Sequence, residues 1–184
     1  MRNPPTPARV AEIETPIGVM VVSATDTHLL LLEFSNRRLL GAQLARVSRA
    51  MACEFEPGDT PVIDAVRTQL DEYFRGERRE FTIPLHTPGT PFQNRVWAEL
   101  QRIPIGTTTS YGALARVIGQ PTAVRAVARA NGDNRIAIII PCHRVIGSDG
   151  SLTGYGGGLS RKQQLLDLEG GALALGHGGH PERA

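Results

Sequence analysis

Two adjacent residues with reactive side chains, Cys142 and His143, follow a short apolar segment of the sequence. A thiolate is the nucleophile in sulfur chemistry, and a nearby imidazole can lower the pKa of a thiol or take its proton. Adjacent side chains rarely face each other, so His143 needs a turn after Pro141, or a bridging water, to act on the sulfur. The alternative is that Cys142 is a small buried apolar residue and His143 an ordinary surface histidine. The local sequence leaves both interpretations open.

The other cysteine of the chain, Cys53, has no such neighbours. Two cysteines in 184 residues are too few for a disulfide framework. Cys53 follows a helical pattern and has no base or glycine-rich loop beside it, which favours a place in the core. Cys142 is therefore the candidate for chemistry.

The overall composition is that of an ordinary folded protein, with 41% hydrophobic and 21% charged residues. The longest apolar run, 136–140, is far shorter than the roughly 20 residues that cross a bilayer. The N-terminus lacks the apolar centre of a secretory signal, so we expect no membrane association and a cytoplasmic location. Residues 1–91 carry 10 arginines against 12 acidic residues, whereas residues 92–169 carry 9 basic against 5 acidic residues. The second half is thus the candidate for contact with a polyanion such as DNA.

The first half has the pattern of a small sheet with a helix. Strands are predicted over 11–15, 18–24, 28–34 and 81–85 from their β-branched and leucine-rich composition. Apolar residues at every fourth position predict a helix over 61–74, with Thr60 as its N-cap. The turn-forming segment 86–91 precedes a change to helical patterning. We therefore predict an α+β protein with an N-terminal supporting domain over 1–88.

The second domain is predicted over 89–170 and is mostly helical. Its first helix has Thr90 as cap and Pro91 in the first turn, with Phe92, Val96, Trp97 and Leu100 facing inward. Two short helices over 111–118 and 121–132, joined at Gly119, are typical of a helix-turn-helix. A buried extended run is predicted over 136–140 and a glycine-rich loop over 154–158. A last helix is predicted to begin at a Ser160–Gln163 capping box and to end at Gly170. The tail over 171–184 is predicted to be disordered.

Taken together, these motifs resemble one known family, the O6-alkylguanine-DNA alkyltransferases, also called methylated-DNA–protein-cysteine methyltransferases. The resemblance is strong between Phe92 and Gly170 and loose before that, where only Thr15–Gly18 matches. The motifs that carry it are Phe92-Gln93, Val96-Trp97, Ile103-Pro104 with Gly106, Ser110-Tyr111, Arg125-Ala126-Val127, Asn134, Pro141 to Val145, and Gly154-Tyr155 through Leu165-Leu166.

The resemblance implies a DNA repair protein that moves a methyl or other alkyl group from O6-alkylguanine onto its own Cys142, with O4-methylthymine as a second candidate substrate. Nothing in the chain reverses a thioether, so the protein would be a single-turnover methyltransferase. In the implied site His143 deprotonates Cys142 through a water and Glu169 orients the imidazole. Tyr111 donates to the leaving guanine, and Asn134 ties the recognition helix to the active-site segment.

The resemblance also implies residues that hold the DNA. The target nucleotide must be rotated out of the duplex, and Arg125 would fill the gap from the minor groove. Small side chains at Ala126 and Ala128 would let this helix approach DNA closely. For Arg129 and Arg116 we expect phosphate contacts or plain solvation. The remaining implied contacts are reading of the base by backbone groups at Cys142, Val145 and Gly156, packing by Tyr155, and Ser110 within the Ser-Tyr motif. The expected partner is double-stranded DNA containing O6-alkylguanine, bound by a monomer.

Two departures from the family pattern and three rival functions limit this interpretation. Some members hold a structural zinc, but Cys53, His28 and His86 lack ligand-pair spacing, so we predict no metal and no cofactor. Arg135 stands where many relatives have proline, which affects the stiffness of the backbone there.

Three other functions are compatible with parts of the sequence. One is a damage-binding module of the same fold in which the cysteine is replaced. The others are a DNA-binding regulator, which needs no reactive cysteine, and a cysteine hydrolase, which would release product over many cycles.

Overall fold

The apolar segments of the first third of the chain form a four-stranded sheet in the computed structural model, which describes the backbone of residues 7–174 and the side chains of residues 7–170. Its strands are β1 (Ala8–Ile13), β2 (Met20–Ala24), β3 (Leu29–Phe34) and β4 (Phe55–Pro57). The order is β3-β2-β1-β4, with β4 parallel to β1 and the other pairs antiparallel. The three strands predicted in this region are confirmed to within three residues at either end, and the short β4 was not predicted.

Two helices cover the two faces of this sheet. On one face Val21, Leu30 and Leu31 pack with Val47 of α1 (Leu40–Met51) and with Cys53. The other face packs against α2 (Pro61–Phe74), whose N-cap Thr60 accepts a hydrogen bond from the Ile63 amide, as predicted. Helix α1 was not predicted, because only two of its residues are buried and its apolar stripe is thin.

The second half of the chain is mainly helical, as predicted. Its elements are α3 (Pro91–Leu100), β5 (Thr109–Ser110), α4 (Tyr111–Val117), α5 (Val124–Gly132), a single 3-10 turn (Cys142–Arg144), β6 (Val145–Ile146) and α6 (Leu159–Ala174). The predicted cap of α3 is confirmed as a full capping box between Thr90 and Gln93. Helices α4 and α5 form the predicted helix-turn-helix, and Gly119 between them has the positive φ of +74° that such a turn requires.

One hydrophobic core runs through both halves. Leu32, Trp97 and Ile136 all belong to it, although they come from β3, α3 and the segment before Cys142. The backbone of Leu32 donates to the carbonyl of Arg135 at 2.9 Å and accepts from the amide of Ala137 at 2.7 Å. The edge strand β3 thus holds the segment that leads to the reactive cysteine.

Two predicted segments differ in the structure. The strand predicted over 81–85 is reduced to a bridge between Leu85 and Leu29, since Pro84 has no N–H to continue a ladder. Helix α5 begins at Val124 and not at Pro121, because a turn from Ala123 to Gln120 precedes its first residue.

The last helix is longer than predicted at both ends. It begins at Leu159, with the Lys162 amide donating to the Gly158 carbonyl, so Ser160 is inside the helix and is not its cap. It passes through Gly170, because a glycine in a helix costs only about 1 kcal/mol and does not by itself end it. The predicted tail overlaps this helix as far as Ala174, and residues 175–184 lie outside the described part of the chain. Within the described part, no helix has the length and apolar character needed to traverse a bilayer.

Candidate active site

The side chain of Asn134 organises the segment that ends at Cys142. Its Oδ1 accepts from the Ile136 amide at 3.0 Å, and its Nδ2 donates to the Ile140 carbonyl at 2.8 Å. The segment curls around this amide, and Ile138 adopts a φ of +70°. The prediction of an extended run over 136–140 is therefore wrong, although the burial predicted for it is confirmed.

The same amide reaches the reactive sulfur. Asn134 Nδ2 donates to Cys142 Sγ at 3.1 Å, and the Cys142 side chain is only 6% exposed. Burial raises the pKa of the Cys142 thiol to about 11, against the lowering effect of the Asn134 hydrogen bond. The sulfur is thus a protonated thiol at neutral pH in the free protein, so its activation requires a base.

His143, which follows Cys142 in the chain, forms a buried acid–base pair with Glu169. His143 Nε2 lies 2.8 Å from Glu169 Oε1, and both side chains are fully buried. Burial alone would raise the pKa of Glu169, but hydrogen bonds from His143 and Arg144 lower it to about 2. Burial lowers the pKa of His143, so the imidazole is neutral at neutral pH. Because the ionised carboxylate can only accept, the proton of the neutral ring is on Nε2 and Nδ1 is free to accept a proton.

Glu169 is held by two further side chains. Arg144 donates from Nε to Oε2 at 2.9 Å and from Nη2 to Oε1 at 2.8 Å, while the Tyr73 hydroxyl donates to Oε1 at 2.8 Å. Arg144 also binds the Ile103 carbonyl through Nη1. Glu169 is therefore the centre of a buried network that joins α2, the 3-10 turn and α6, and it is not a solvent-facing helix end.

The glycine-rich loop closes a small cavity over Cys142. Residues 154–157 line this cavity together with Cys142, Asn131 and two side chains of the first half, Glu33 and Arg37. Arg37 pairs with the buried Glu33 and donates to the Gly132 carbonyl at 2.6 Å. A Cβ on Gly156 would lie 2.5 Å from the Arg37 guanidinium carbon, so this glycine is needed for the close approach. The first half of the chain thus forms part of the cavity wall.

Gly157 has no room for a side chain. A Cβ there would lie 2.6 Å from the ring of Phe34, which is fully buried, and 2.8 Å from the ring of Tyr155. We expect Gly157→Ala to lower the free energy of unfolding by about 1–3 kcal/mol through overpacking, measured by urea denaturation. Gly170→Ala is the matched control, because that helical glycine has nothing within 4 Å of the added atom and alanine should be neutral or stabilising. Equal effects of the two substitutions would contradict this packing.

Three further predicted residues surround the loop. The Tyr111 hydroxyl donates to the Thr153 carbonyl at 3.3 Å and lies 3.4 Å from the position of a Cβ on Gly154. Ser110 is the N-cap of α4, with its hydroxyl accepting from the Ala113 amide. The Val145 carbonyl accepts from Lys162 Nζ at 2.6 Å. The structure therefore places Tyr111 at the loop and gives Ser110 a capping role.

The helix-turn-helix presents its predicted residues to solvent. Arg125, Ala126 and Arg129 are exposed on α5, Arg116 is exposed on α4, and Ala128 is partly buried. Val117 and Val124 add apolar side chains that are 66% and 38% exposed. A surface with small, apolar and basic side chains is suited to close contact with a nucleic acid.

The candidate metal ligands of the sequence do not meet. The rings of His28 and His86 lie edge to face with centroids 6.3 Å apart, but Cys53 is in the separate core cluster beneath α1. Over the described residues, no group of three or more histidine, cysteine or acidic side chains is arranged to hold a metal ion.

Two family models match the chain over almost its whole length. The 6-O-methylguanine DNA methyltransferase DNA binding domain matches residues 91–171, and the ribonuclease-like domain of the same family matches residues 9–87. The chain belongs to the 6-O-methylguanine DNA methyltransferase family. These two ranges lie on either side of the boundary predicted between residues 88 and 89.

Individual members of the methyltransferase family agree with this assignment. The methylated-DNA–protein-cysteine methyltransferase of Mycolicibacterium paratuberculosis is 47% identical over 85% of this chain and 89% of its own, and the constitutive protein of Bacillus subtilis is 40% identical over 85% and 92%. The crystal structure of Mycobacterium tuberculosis OGT in complex with DNA has a TM-score of 0.76 and 42% identity, and covers 90% of this chain and 94% of that one. The mixed α+β fold expected from the sequence is confirmed.

Several residues of this methyltransferase site were not predicted from the sequence. Arg144 belongs to the cysteine motif, and its place beside the histidine was a usable signal for a role near the base. Asn131 gave a weaker signal, as a second asparagine three residues before Asn134. Tyr73, Arg37 and Lys162 come from other elements, and their distance along the chain hid them.

Because Glu169 and His143 are buried, we expect the folded protein to lose stability in acid. The pKa of Glu169 is lower in the folded state, so its stabilising effect is complete above pH 4.5 and is lost as the pH falls from there toward 2. The pKa of His143 is also lower in the folded state, so stability declines once the pH falls below 6.5. We expect the free energy of unfolding to fall by about 2 kcal/mol from the Glu169 shift alone, measured by urea denaturation between pH 7 and 3. A flat profile over this range would contradict the protonation states assigned here.

Proposed function

We propose that Cys142 accepts an alkyl group from the O6 atom of guanine in double-stranded DNA, once per molecule. The observation that carries the proposal is the geometry at the end of the curled segment, where the buried Cys142 thiol accepts from Asn134 and the next residue, His143, pairs with the buried Glu169. The same thiol faces a cavity closed by the glycine loop, close to the helix-turn-helix.

The activity follows from the family. The protein repairs alkylated DNA by transferring the alkyl group to one of its own cysteines, which makes it a methylated-DNA–protein-cysteine methyltransferase by reaction class, and DNA is its partner. The lesion at guanine O6, the individual residue roles and the monomeric state belong to the proposal, as do a cytoplasmic location and the division into domains over 1–88 and 89–170.

The proposed reaction begins with removal of the thiol proton. His143 Nδ1 accepts this proton through a bridging water, and Glu169 stabilises the imidazolium that forms. Asn134 continues to donate to the sulfur as it becomes negative, which favours the thiolate. Burial of Cys142 keeps the thiolate weakly solvated and therefore reactive.

The thiolate then displaces guanine from the alkyl carbon. The carbon–sulfur bond forms as the carbon–O6 bond breaks, and the electron pair of that bond leaves with the purine. Tyr111 is proposed to donate a hydrogen bond to the leaving base, from its place beside the glycine loop. The thioether on Cys142 is stable, so the reaction ends the working life of the molecule.

The proposal for DNA binding uses the exposed face of α5. Arg125 enters the minor groove and occupies the gap left by the everted nucleotide, while Ala126 and Ala128 permit close approach. Arg129 and Arg116 contact phosphates. Such contacts carry little base information, so binding to undamaged DNA should depend strongly on salt and weakly on sequence.

Mass spectrometry after incubation with a duplex containing O6-methylguanine tests the proposal. The expected result is one methyl group on the peptide that contains Cys142, at a yield that never exceeds one per protein molecule. An unmodified Cys142 peptide would overturn it in favour of a damage-binding module or a regulator. Release of product over many cycles would instead indicate a hydrolase.

A further inference from the structure

A tyrosine from the first half of the chain, Tyr73, reaches into the buried network around Glu169. It lies in the last turn of α2 and is 2% exposed, and its hydroxyl donates to Glu169 Oε1 at 2.8 Å. Because the ionised carboxylate can only accept, the hydroxyl is the donor of this bond. Helix α2 thus places a hydrogen-bond donor on the carboxylate that pairs with the proposed base, although the two residues are 96 positions apart in the chain.

Three donors converge on the same oxygen atom. Besides the Tyr73 hydroxyl, Glu169 Oε1 accepts from His143 Nε2 and from Arg144 Nη2, each at 2.8 Å. A carboxylate oxygen has two lone pairs, so the three hydrogen bonds share the negative charge of Oε1. Each donor therefore reduces the charge that is available to the other two.

The hydroxyl of Tyr73 can be removed without dismantling this network. The ring packs against Phe74 and Phe81, with centroids 5.3 and 5.4 Å apart, and phenylalanine would keep these contacts. Oε1 of Glu169 would retain two donors, and the ion pair with Arg144 would remain. A change in the behaviour of the network can thus be attributed to the lost hydrogen bond.

The charge on Glu169 governs how readily His143 takes up a proton. The charged and titratable groups around the ring come from the 3-10 turn, α6, the glycine loop and α2, and they are Cys142, Arg144, Lys162, Glu169, Tyr155 and, beyond the carboxylate, Tyr73. Burial and the charges of Arg144 and Lys162 lower the pKa of His143, whereas Glu169 raises it. A donor that withdraws charge from Glu169 Oε1 therefore makes the imidazole less basic.

We propose that Tyr73 is a positioning residue for the acid–base pair, which holds Glu169 Oε1 and limits the pull of this carboxylate on the proton of His143 Nε2. The imidazole then stays neutral. Its Nδ1, which is buried and without a partner within residues 7–170, stays ready to take the thiol proton. This inference rests on the proposed role of His143 as base. It gives the first half of the chain a part in the reaction as well as in the support of the glycine loop.

The kinetic test replaces Tyr73 with phenylalanine and measures the pH dependence of single-turnover methyl transfer from a saturating duplex that contains O6-methylguanine. We expect the rate to reach its plateau at a higher pH in Tyr73→Phe than in the natural protein, because Glu169 then stabilises the imidazolium more strongly. The ratio of the rate at about pH 6 to the plateau rate should fall by about threefold. Glu169→Gln, which removes the charge itself, should move the profile in the opposite direction.

A second measurement follows the base without any transfer reaction. The protein is labelled with ¹⁵N in histidine, and the ring of His143 is titrated by NMR in the absence of DNA, with its signals assigned from their loss in His143→Gln. The midpoint of this titration should lie at a higher pH in Tyr73→Phe than in the natural protein.

Gln69→Met is the matched control for Tyr73→Phe. Gln69 lies one turn earlier on α2, is 8% exposed and exchanges hydrogen bonds of 2.8 and 2.9 Å with Thr82. Its loss should lower stability, but the pH dependence of transfer and the titration of His143 should both stay as in the natural protein.

The outcomes separate the inference from the function on which it rests. Slower transfer by Tyr73→Phe with unchanged pH dependence and an unchanged His143 titration would show a purely structural role and overturn the inference, as would a shift toward lower pH. If the natural protein transfers no methyl group while the His143 titration shifts as expected, the proposed function is overturned and the action of Tyr73 on the pair is supported.

A further variant covers the case in which Tyr73→Phe does not fold. Tyr73→3-fluorotyrosine keeps the ring and the hydroxyl and makes the hydroxyl a stronger donor. The titration of His143 should then move to lower pH, and an unchanged titration would overturn the inference.

Discussion

Replacing Cys142 with serine is expected to abolish alkyl transfer, with a loss of at least about 10³-fold, because a hydroxyl is a far weaker nucleophile than a thiolate. Serine is close to cysteine in size and should fit the site beneath the glycine loop. The exposed arginines of α5 are untouched, so affinity for duplex DNA should be unchanged. Transfer is measured by mass spectrometry of the modified peptide and binding by a mobility-shift titration.

The matched control for Cys142→Ser is Cys53→Ala. Cys53 is also buried, at 3% exposure, but it lies in the apolar cluster under α1. This variant should keep full transfer activity and lose only a little stability. Transfer by Cys142→Ser, or loss of transfer in a folded Cys53→Ala protein, would contradict the assignment of Cys142 as the acceptor.

Replacing Glu169 with glutamine should impair both stability and reaction. Arg144 and Glu169 form a buried ion pair, with the two side chains 9% and 0% exposed. Removing one charge leaves the other without compensation, which typically costs about 3–5 kcal/mol. Urea denaturation at pH 7 should show a decrease in the free energy of unfolding of that order.

The same substitution should slow alkyl transfer by about 10²-fold, because His143 loses the carboxylate that favours its protonated form. This effect is distinguished from instability by the pH dependence of the single-turnover rate, measured well below the denaturation temperature. The rate should reach its plateau at a lower pH in the variant, since the imidazole becomes less basic without the charge of Glu169. An unchanged pH profile would indicate that Glu169 is only structural.

Asp167→Asn provides the control for Glu169→Gln. Asp167 is an exposed acid on the same helix, and its carboxylate accepts from Gln163 one turn earlier. Surface pairs of this kind contribute about 0.3–0.5 kcal/mol, so stability and transfer should both stay close to those of the natural protein.

The first half of the chain contributes to the structure of the site. Strand β3 holds the segment before Cys142 through backbone hydrogen bonds at Leu32, and its end brings Phe34 against Tyr155. Arg161 of α6 stacks over the Phe34 ring at 4.3 Å and donates to the Ile17 carbonyl at 2.7 Å. The first half of the chain thus supports the glycine loop from behind.

Local patterns in the sequence were enough to predict most of the elements of this protein. Thr60, Thr90 and Gly119 act through their own neighbourhoods, as two N-caps and a glycine turn, and the structure confirms all three. The motif Pro141 to Val145, with the helix-turn-helix before it and the glycine loop after it, was enough to identify the family. These signals are readable because each depends on residues close together in the chain.

The tertiary structure decided what the sequence could not, because the remaining interactions join distant residues. Whether Cys142 is a thiol or a thiolate depends on burial and on an amide eight residues away. Whether Glu169 is a surface charge or the centre of a buried network depends on Tyr73 and Arg144, which lie 96 and 25 residues from it. Within residues 7–170, Asn131 Oδ1 is left without a partner because the fold buries it beside the curled segment and the glycine loop, and no local pattern in the sequence encodes this.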